Sequence, residues 1–285
     1  MCHKSNDSSP PRPQTDRFPL VRLISTDFDG TIHTDGDQPR IPLVFQEQVQ
    51  RWQAQGCKWV INTGRDMDSL QQALRECPLR VQPDYLVLVE REIFQRRNGG
   101  YVGCTDWNQR CTQAHYHLFR QVEADLPALV DWIQERFQAD LYSDPWSPLC
   151  LIARSNPDAD AILEHIFAYC KRVPGLTVMR NDVYARLSHA DFNKGSALLE
   201  IARQLNVPRQ AIFAAGDHFN DLPMLTRTVA GWIVAPANAI PEVQQAVLQE
   251  GGYLSRQEGG QGVAEALDLL AQEGHLPEGF ALATP

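Results

Sequence analysis

Two acidic clusters stand out in this 285-residue chain as groups that could do chemistry. The first, Asp27-Phe28-Asp29-Gly30-Thr31, directly follows the β-prone run Val21 to Thr26. Two carboxylates leaving one buried strand repel each other unless a cation or a proton relieves them, which favours a metal or acid/base role over a plain acidic turn. The second, Gly216-Asp217-His218-Phe219-Asn220-Asp221, follows the short apolar run Ala211 to Ala215. Its oxygen donors suit a hard cation. Asp217 is the better ligand, because Asp221 also fits a capping role on the helical turn that follows. Thr63-Gly64-Arg65 ends another short strand, and Lys194 opens a helical stretch. Taken singly, these last two are an ordinary strand-end turn and an ordinary solvated lysine.

The elements that must position these groups alternate. Ile41, Phe45, Val49 and Trp52 recur at helical spacing, with Gly56 where a helix-ending glycine belongs. Trp59-Val60-Ile61 reads as a second strand, Asp66 to Glu76 as a helix stopped by Pro78, and Tyr85 to Val89 as a third strand. Such alternation implies a parallel sheet with ligands beyond the carboxyl ends of its strands, where the polar motifs fall. After Val89 the texture changes: a hairpin over Glu92 to Cys104 turning at Asn98-Gly99, then a helical stretch from His115 to Gln138. A strand near Leu149 to Ala153, a helix near Asp158 to Cys170 and strands within Leu176 to Leu187 follow. Strand–helix alternation resumes at Lys194. The expected organisation is a discontinuous core of residues 18–90 and 187–273, an inserted α+β lid at 91–186, a polar Pro/Ser-rich leader at 1–17 and a tail at 274–285.

The order and joint presence of the four signals resemble the haloacid dehalogenase-like phosphatases, whose pattern is D-x-D-G-[TV], a Thr or Ser, a Lys, then G-D-x-x-[ND]-D. The resemblance spans both halves of the core and implies an α/β fold, a Rossmann-like parallel sheet flanked by helices with an inserted α+β cap. It implies Asp27 as nucleophile and Asp29 as general acid/base. Thr63, Gly64, Lys194 and Asn220 would hold the phosphate, with Asn220 orienting it or Lys194. Mg2+ would be held by Asp27, the Asp29 backbone carbonyl, Asp217 and, as a further ligand, Asp221. Only 34 positions separate Asp29 from Thr63, whereas 131 separate Thr63 from Lys194. The insertion therefore resembles the type IIB cap of the Cof-like and sucrose-phosphate phosphatase-like subgroup, and the implied substrate is a small phosphorylated metabolite, such as a sugar or polyol phosphate. Glu90-Arg91 stands where that subgroup has a glycine-containing segment. Arg65, Arg91, Arg180 and Arg186, with Arg96 and Arg97 on the hairpin, are candidates for contact with the leaving group, against a default of solvated surface arginines.

Composition bounds the rest. A net charge of −9 argues against a nucleic-acid surface, and no apolar run approaches the ~20 residues of a membrane span. Seven scattered cysteines without a C-x-x-C pair fit a reducing cytoplasm better than a disulfide framework or a zinc site. No protein partner is implied. His115-x-His117 lacks a nearby carboxylate and reads as structural or surface, and His218 is expected to point away from its acidic neighbours. Two alternatives stay open: a phosphomutase, which returns the phosphoryl group to product, and a receiver-like phospho-acceptor domain, which also gathers Asp, Thr and Lys on a parallel sheet.

Overall fold

Strand β1 (Leu23–Thr26) is buried on both faces. So are most residues of β2 (Lys58–Asn62) and all of β3 (Tyr85–Leu88), as a sheet covered by helices on each side requires. The structure is a computed structural model and describes residues 21–36 and 38–273; the expected leader and tail lie outside the described residues. Between these strands run α1 (Leu43–Ala54) and α2 (Met67–Glu76), the latter begun by the Asp66 carboxylate accepting from the Ser69 amide. There follow β4 (Glu92–Arg97), β5 (Gly100–Gly103), α3 (Thr105–Val122), α4 (Leu126–Gln134), β6 (Ala139–Asp144), β7 (Ser147–Ala153), α5 (Asn156–Cys170), β8 (Leu176–Asn181) and β9 (Tyr184–His189). The chain closes with α6 (Lys194–Leu205), β10 (Ile212–Ala215), β11 (Trp232–Ala235), α7 (Pro241–Gln249), β12 (Tyr253–Leu254) and α8 (Gly259–Glu273).

The large sheet has the order β12-β11-β10-β1-β2-β3-β4-β5, parallel from β12 to β3 and antiparallel beyond. Side chains alternate between its two faces. Ile24, Trp59 and Ile61 pack with Phe45 and Val49 of α1 and Leu267 of α8. Leu23, Val60 and Val87 pack with Leu198 and Ile201 of α6 and Val243 of α7. Each such burial is worth roughly 1.5–3 kcal/mol. Together they fix the parallel register that places the ends of β1, β2 and β10 side by side. The fold is α/β, with a mainly parallel sheet flanked by helices and a cap.

The second sheet is antiparallel, order β6-β7-β9-β8. Leu149, Leu151 and Leu187 on one of its faces pack against Ile133 of α4 and Ile162 and Ile166 of α5. By alternation Tyr142, Ile152, Tyr184 and Arg186 occupy the other face.

Three features differ from the sequence expectation. The hairpin at 92–103, expected within the lid, extends the large sheet, because Ile93 and Phe94 bury on its opposite faces as they pair with β3. The helical stretch after it is two helices, α3 starting at Thr105 and α4 carrying Pro127 in its first turn, where a missing N–H costs nothing. Strands β6 and β12 were not anticipated; one is broken by a bulge and the other has two residues, so neither shows a period. No helix among the described residues is long and apolar enough to cross a membrane.

Candidate active site

The carboxyl ends of β1, β2 and β10 deliver the polar motifs to one edge. The Asp27 amide donates to the Ala215 carbonyl at 2.9 Å, extending the β1–β10 ladder by one residue, and the Thr63 amide donates to Val87 O at 2.9 Å. Beyond Asp27 the chain reverses through Gly30 at φ +78. A Cβ there would lie 2.2 Å from Asp217 Oδ2, so only glycine lets the first acidic loop close against the second. Thr31 Oγ1 fastens the junction by donating to Asp217 Oδ1 at 2.6 Å.

Lys194 is the first residue of α6, whose start is fixed by Asn193 accepting from the Gly195 and Ser196 amides. Its ammonium is 0% exposed and donates to Asp27 Oδ1 and to Asp221 Oδ1, each at 2.6 Å. Burial pulls this lysine's pKa down, but Asp221 and Asp27 outweigh it and raise it above the ordinary value. Asp221 is otherwise committed: its Oδ2 accepts from the Asp217 and His218 amides at 2.9 and 3.0 Å. Oxygens of Asp27, Asp217 and Asp221 lie within 4.8 Å of one another. Burial, then Asp221, push Asp27 well above the ordinary carboxylate range despite Lys194. The same two causes push Asp217 to about 7. Three buried carboxylates against one lysine are an unbalanced charge that a divalent cation would neutralise, so the donor set fits Mg2+, with Asp27 and Asp217 holding free lone pairs and Asp221 largely spent.

Asp29 sits apart from this group. Its side chain is 39% exposed and is gripped by the Arg65 guanidinium, Nε to Oδ2 at 2.7 Å and Nη2 to Oδ1 at 2.8 Å, with His33 Nδ1 3.5 Å away. Burial pushes its pKa up, but the His33 hydrogen bond and the Arg65 fork outweigh it and hold it at about 2. In this arrangement Arg65, a candidate for contact with the leaving group, pairs with Asp29 and favours its ionised form. Thr63 is buried and accepts from the Arg65 amide at 3.2 Å.

Asn220 makes no hydrogen bond to the Lys194 ammonium, whose partners are Asp27 and Asp221; its Nδ2 donates to Glu90 Oε1 at 3.1 Å. Arg186 is buried and reaches Glu90 Oε2 at 3.3 Å. Arg91 is buried, donating to Trp146 O at 2.8 Å. Arg180 is engaged within the second sheet and α5, by Asp160 and Asn156, and its guanidinium lies over the Phe219 ring. Arg96 and Arg97 lie on the edge hairpin. His218 faces the β8–β9 turn, with the Asp182 amide 3.1 Å from its Nε2. His115 is buried and neutral: burial, then Arg91, lower its pKa to about 3. Its Nδ1 lies 2.8 Å from the Cys111 carbonyl, and its Nε2 accepts from the His189 amide at 3.1 Å. His117 is exposed.

Glu90 is the residue sequence reasoning passed over. It and Val89 both have positive φ, 68 and 45, a conformation that a β-branched residue rarely takes and that costs on the order of 1–3 kcal/mol per residue. The available signal was Glu90-Arg91 standing after a strand end where the resembled subgroup has a glycine-containing segment.

Comparison with known proteins agrees with this geometry. A family model described as haloacid dehalogenase-like hydrolase matches residues 133–267, and one described as sucrose-6F-phosphate phosphohydrolase matches residues 20–143. The protein YxeH of Bacillus subtilis (strain 168) is 24% identical over 276 residues, covering 88% of this chain and 98% of its own length. Among solved structures, the sucrose-phosphatase from Synechocystis sp. PCC6803, determined with sucrose and phosphate, is 19% identical with a TM-score of 0.66, covering 89% of this chain and 99% of its own. A haloacid dehalogenase-like hydrolase from B. subtilis is 19% identical with a TM-score of 0.61, covering 88% and 100%. Together the two matches run from residue 20 to residue 267, and they mark the chain as similar to the Cof-like and sucrose-phosphatase-like phosphatases of the haloacid dehalogenase-like hydrolase superfamily.

Proposed function

We propose that the chain hydrolyses a phosphate monoester of a small metabolite, a sugar or polyol phosphate, with Asp27 as the nucleophile and Mg2+ as cofactor. The observation that carries this reading is the buried Lys194, held between Asp27 and Asp221 with Asp217 alongside. Such a group is costly to bury unless function retains it. Asp27 attacks phosphorus and the bond to the ester oxygen breaks, leaving the phosphoryl group on the Asp27 carboxylate. Asp29 gives a proton to the departing alkoxide, then takes one from the water that attacks the aspartyl-phosphate, releasing inorganic phosphate and free Asp27. Donating that proton requires Asp29 to leave Arg65, so the ion pair is a resting position for the acid. Lys194 and Thr63 face the phosphoryl oxygens, with the Gly64 amide and Asn220 completing the cradle. Asp27, the Asp29 carbonyl and Asp217 would hold Mg2+, whose charge would shield the anionic nucleophile from the anionic ester.

The residues between the two core segments, near 91–186, act as the lid that receives the leaving group; the edge hairpin at 92–103 belongs with the core sheet. Beside Arg91 and Glu92 lies a cavity of about 430 Å3 walled by Tyr116, Phe119 and Trp146. Aromatic faces edged by paired acids and arginines suit a polyhydroxylated group. The neighbour that was solved with sucrose and phosphate points to the same class. The thiols of the six described cysteines are free, which fits the cytoplasm. Hydrolysis of an aryl phosphate should require Mg2+ and stop on exhaustive chelation, and a panel of sugar and polyol phosphates identifies the leaving group. Full activity after chelation would sink the metal assignment.

A further inference from the structure

The Glu90 carboxylate is 4% exposed and lies against the phosphate cradle. The chain brings it there deliberately: the Val89 amide donates to Arg65 O at 3.0 Å and the Glu90 amide to Thr63 O at 2.9 Å, lacing the turn to the loop that carries Thr63 and Gly64. A Cβ on Gly64 would be 3.3 Å from Glu90 Oε1. A carboxylate in this place opposes the binding of a phosphate dianion. Its charge is met from the second sheet, by Arg186 on β9.

We propose that Glu90 and Arg186 tie phosphate affinity to lid closure: Glu90 repels phosphate from the cradle until Arg186, carried by the lid, neutralises it. The proposal rests on the phosphatase chemistry above. Asp27, Thr63, Lys194 and Asn220 are all buried in this arrangement, and on this proposal the ester enters when the second sheet, which meets the core turn through Arg186 and Glu90, moves away. Arg186 then departs with its strand while Glu90 stays on the core turn, leaving an unpaired negative charge beside the empty cradle. Closure and phosphate binding therefore favour each other, and opening expels the phosphate product. Here Arg186 Nε and Asn220 Oδ1 are buried without partners, which leaves both residues with capacity for a ligand.

The test is calorimetric titration of inorganic phosphate into the full-length chain with Mg2+, alongside aryl phosphate hydrolysis. Glu90→Gln removes the charge, keeps one carbonyl oxygen to accept from Arg186 and turns its NH2 toward Asn220, whose unpartnered Oδ1 can accept it once that amide flips, so it should bind phosphate about threefold or more tighter than wild type. A purely structural role predicts equal or weaker binding, and either result overturns the proposal. Arg186→Gln should weaken phosphate about tenfold, with the Glu90→Gln/Arg186→Gln pair restoring it. A double variant as weak as Arg186→Gln also overturns it. Should Arg186→Gln not fold, Glu90→Gln alone decides. Absence of phosphate ester hydrolysis in wild type would instead refute the phosphatase chemistry, a failure visible before any variant is compared.

Discussion

Asp217→Asn should make the protein more stable without metal, although it removes a metal ligand. The carboxyl of Asp217 is moved from its ordinary 3.8 to about 7 by burial and by Asp221. At about 1.4 kcal/mol per pH unit, that corresponds to about 4 kcal/mol of folding free energy. The sign follows from the raised value. The folded protein holds this proton more tightly than the unfolded chain, so the associated stability is fully present below pH 3.8 and is lost as pH rises to about 7. Asparagine carries no such charge and can still accept from Thr31 Oγ1, now 2.6 Å from Asp217 Oδ1. In EDTA at pH 8 the variant should therefore melt roughly 10 °C higher, taking about 2–4 °C per kcal/mol for a chain of this size. Near pH 4 the difference should vanish. Magnesium at about 100 times its dissociation constant should stabilise wild type by about 2.7 kcal/mol and the variant by much less, closing most of the gap. Thermal denaturation across pH, with EDTA or Mg2+, measures all of this. A variant less stable than wild type in EDTA at pH 8, or one with the full Mg2+ gain, would refute the charge imbalance inferred for the site.

Asp27→Asn should abolish turnover and acid-stable labelling of the enzyme, since an amide is a poor nucleophile, while Asp29→Asn should slow the chemical steps by ~10²–10⁴-fold; single-turnover kinetics separate the two. Arg65→Met should free Asp29 from the clamp that holds it at about 2, moving the basic limb of the pH profile of kcat/KM, set by the general acid losing its proton, to higher pH; an unmoved limb would detach Arg65 from the acid's titration. His115 stays neutral in the fold down to about 3 while the unfolded chain protonates it near its ordinary 6.5, so stability falls by about 1.4 kcal/mol per pH unit as pH drops through that window. His115→Gln should flatten that part of the stability curve in urea titrations, and an unchanged slope would show the buried imidazole is not its source.

Much of this site could be read from sequence because parallel strands turn chain order into spatial order. Asp27, Thr63 and Asp217 each follow a short apolar run, and neighbouring parallel strands bring such positions to one edge whatever lies between them in the chain. Lys194 could be placed only through its family pattern, for a lysine at a helix start carries no sign of the two carboxylates that will bury it. The lid was harder. His115 to Gln138 has helical texture throughout, and the one sequence sign of the break is Pro127, which stands in the first turn of α4. The hairpin was found but assigned to the wrong layer, since pairing to β3 depends on the turn at Val89-Glu90, whose φ values no side-chain pattern predicts.

That turn also explains why the arginine candidates were the least legible part of the site. Each was named as a candidate for contact with the leaving group, against a default of solvated surface arginines. The structure gives each a protein partner: Asp29 for Arg65, Glu90 for Arg186, Asp160 for Arg180, and the Trp146 carbonyl for Arg91. A chain with net charge −9 has carboxylates to spare, so a buried arginine usually finds one of its own before a ligand arrives. What distinguishes a working arginine is then not its charge but what its partner does. Arg65 holds the residue proposed as the acid, and Arg186 holds the residue proposed to guard the phosphate cradle. In both, an arginine acts on the reaction through a carboxylate, so the informative substitutions are on the carboxylate side of each pair, where removing one charge leaves the packing of the long side chain in place.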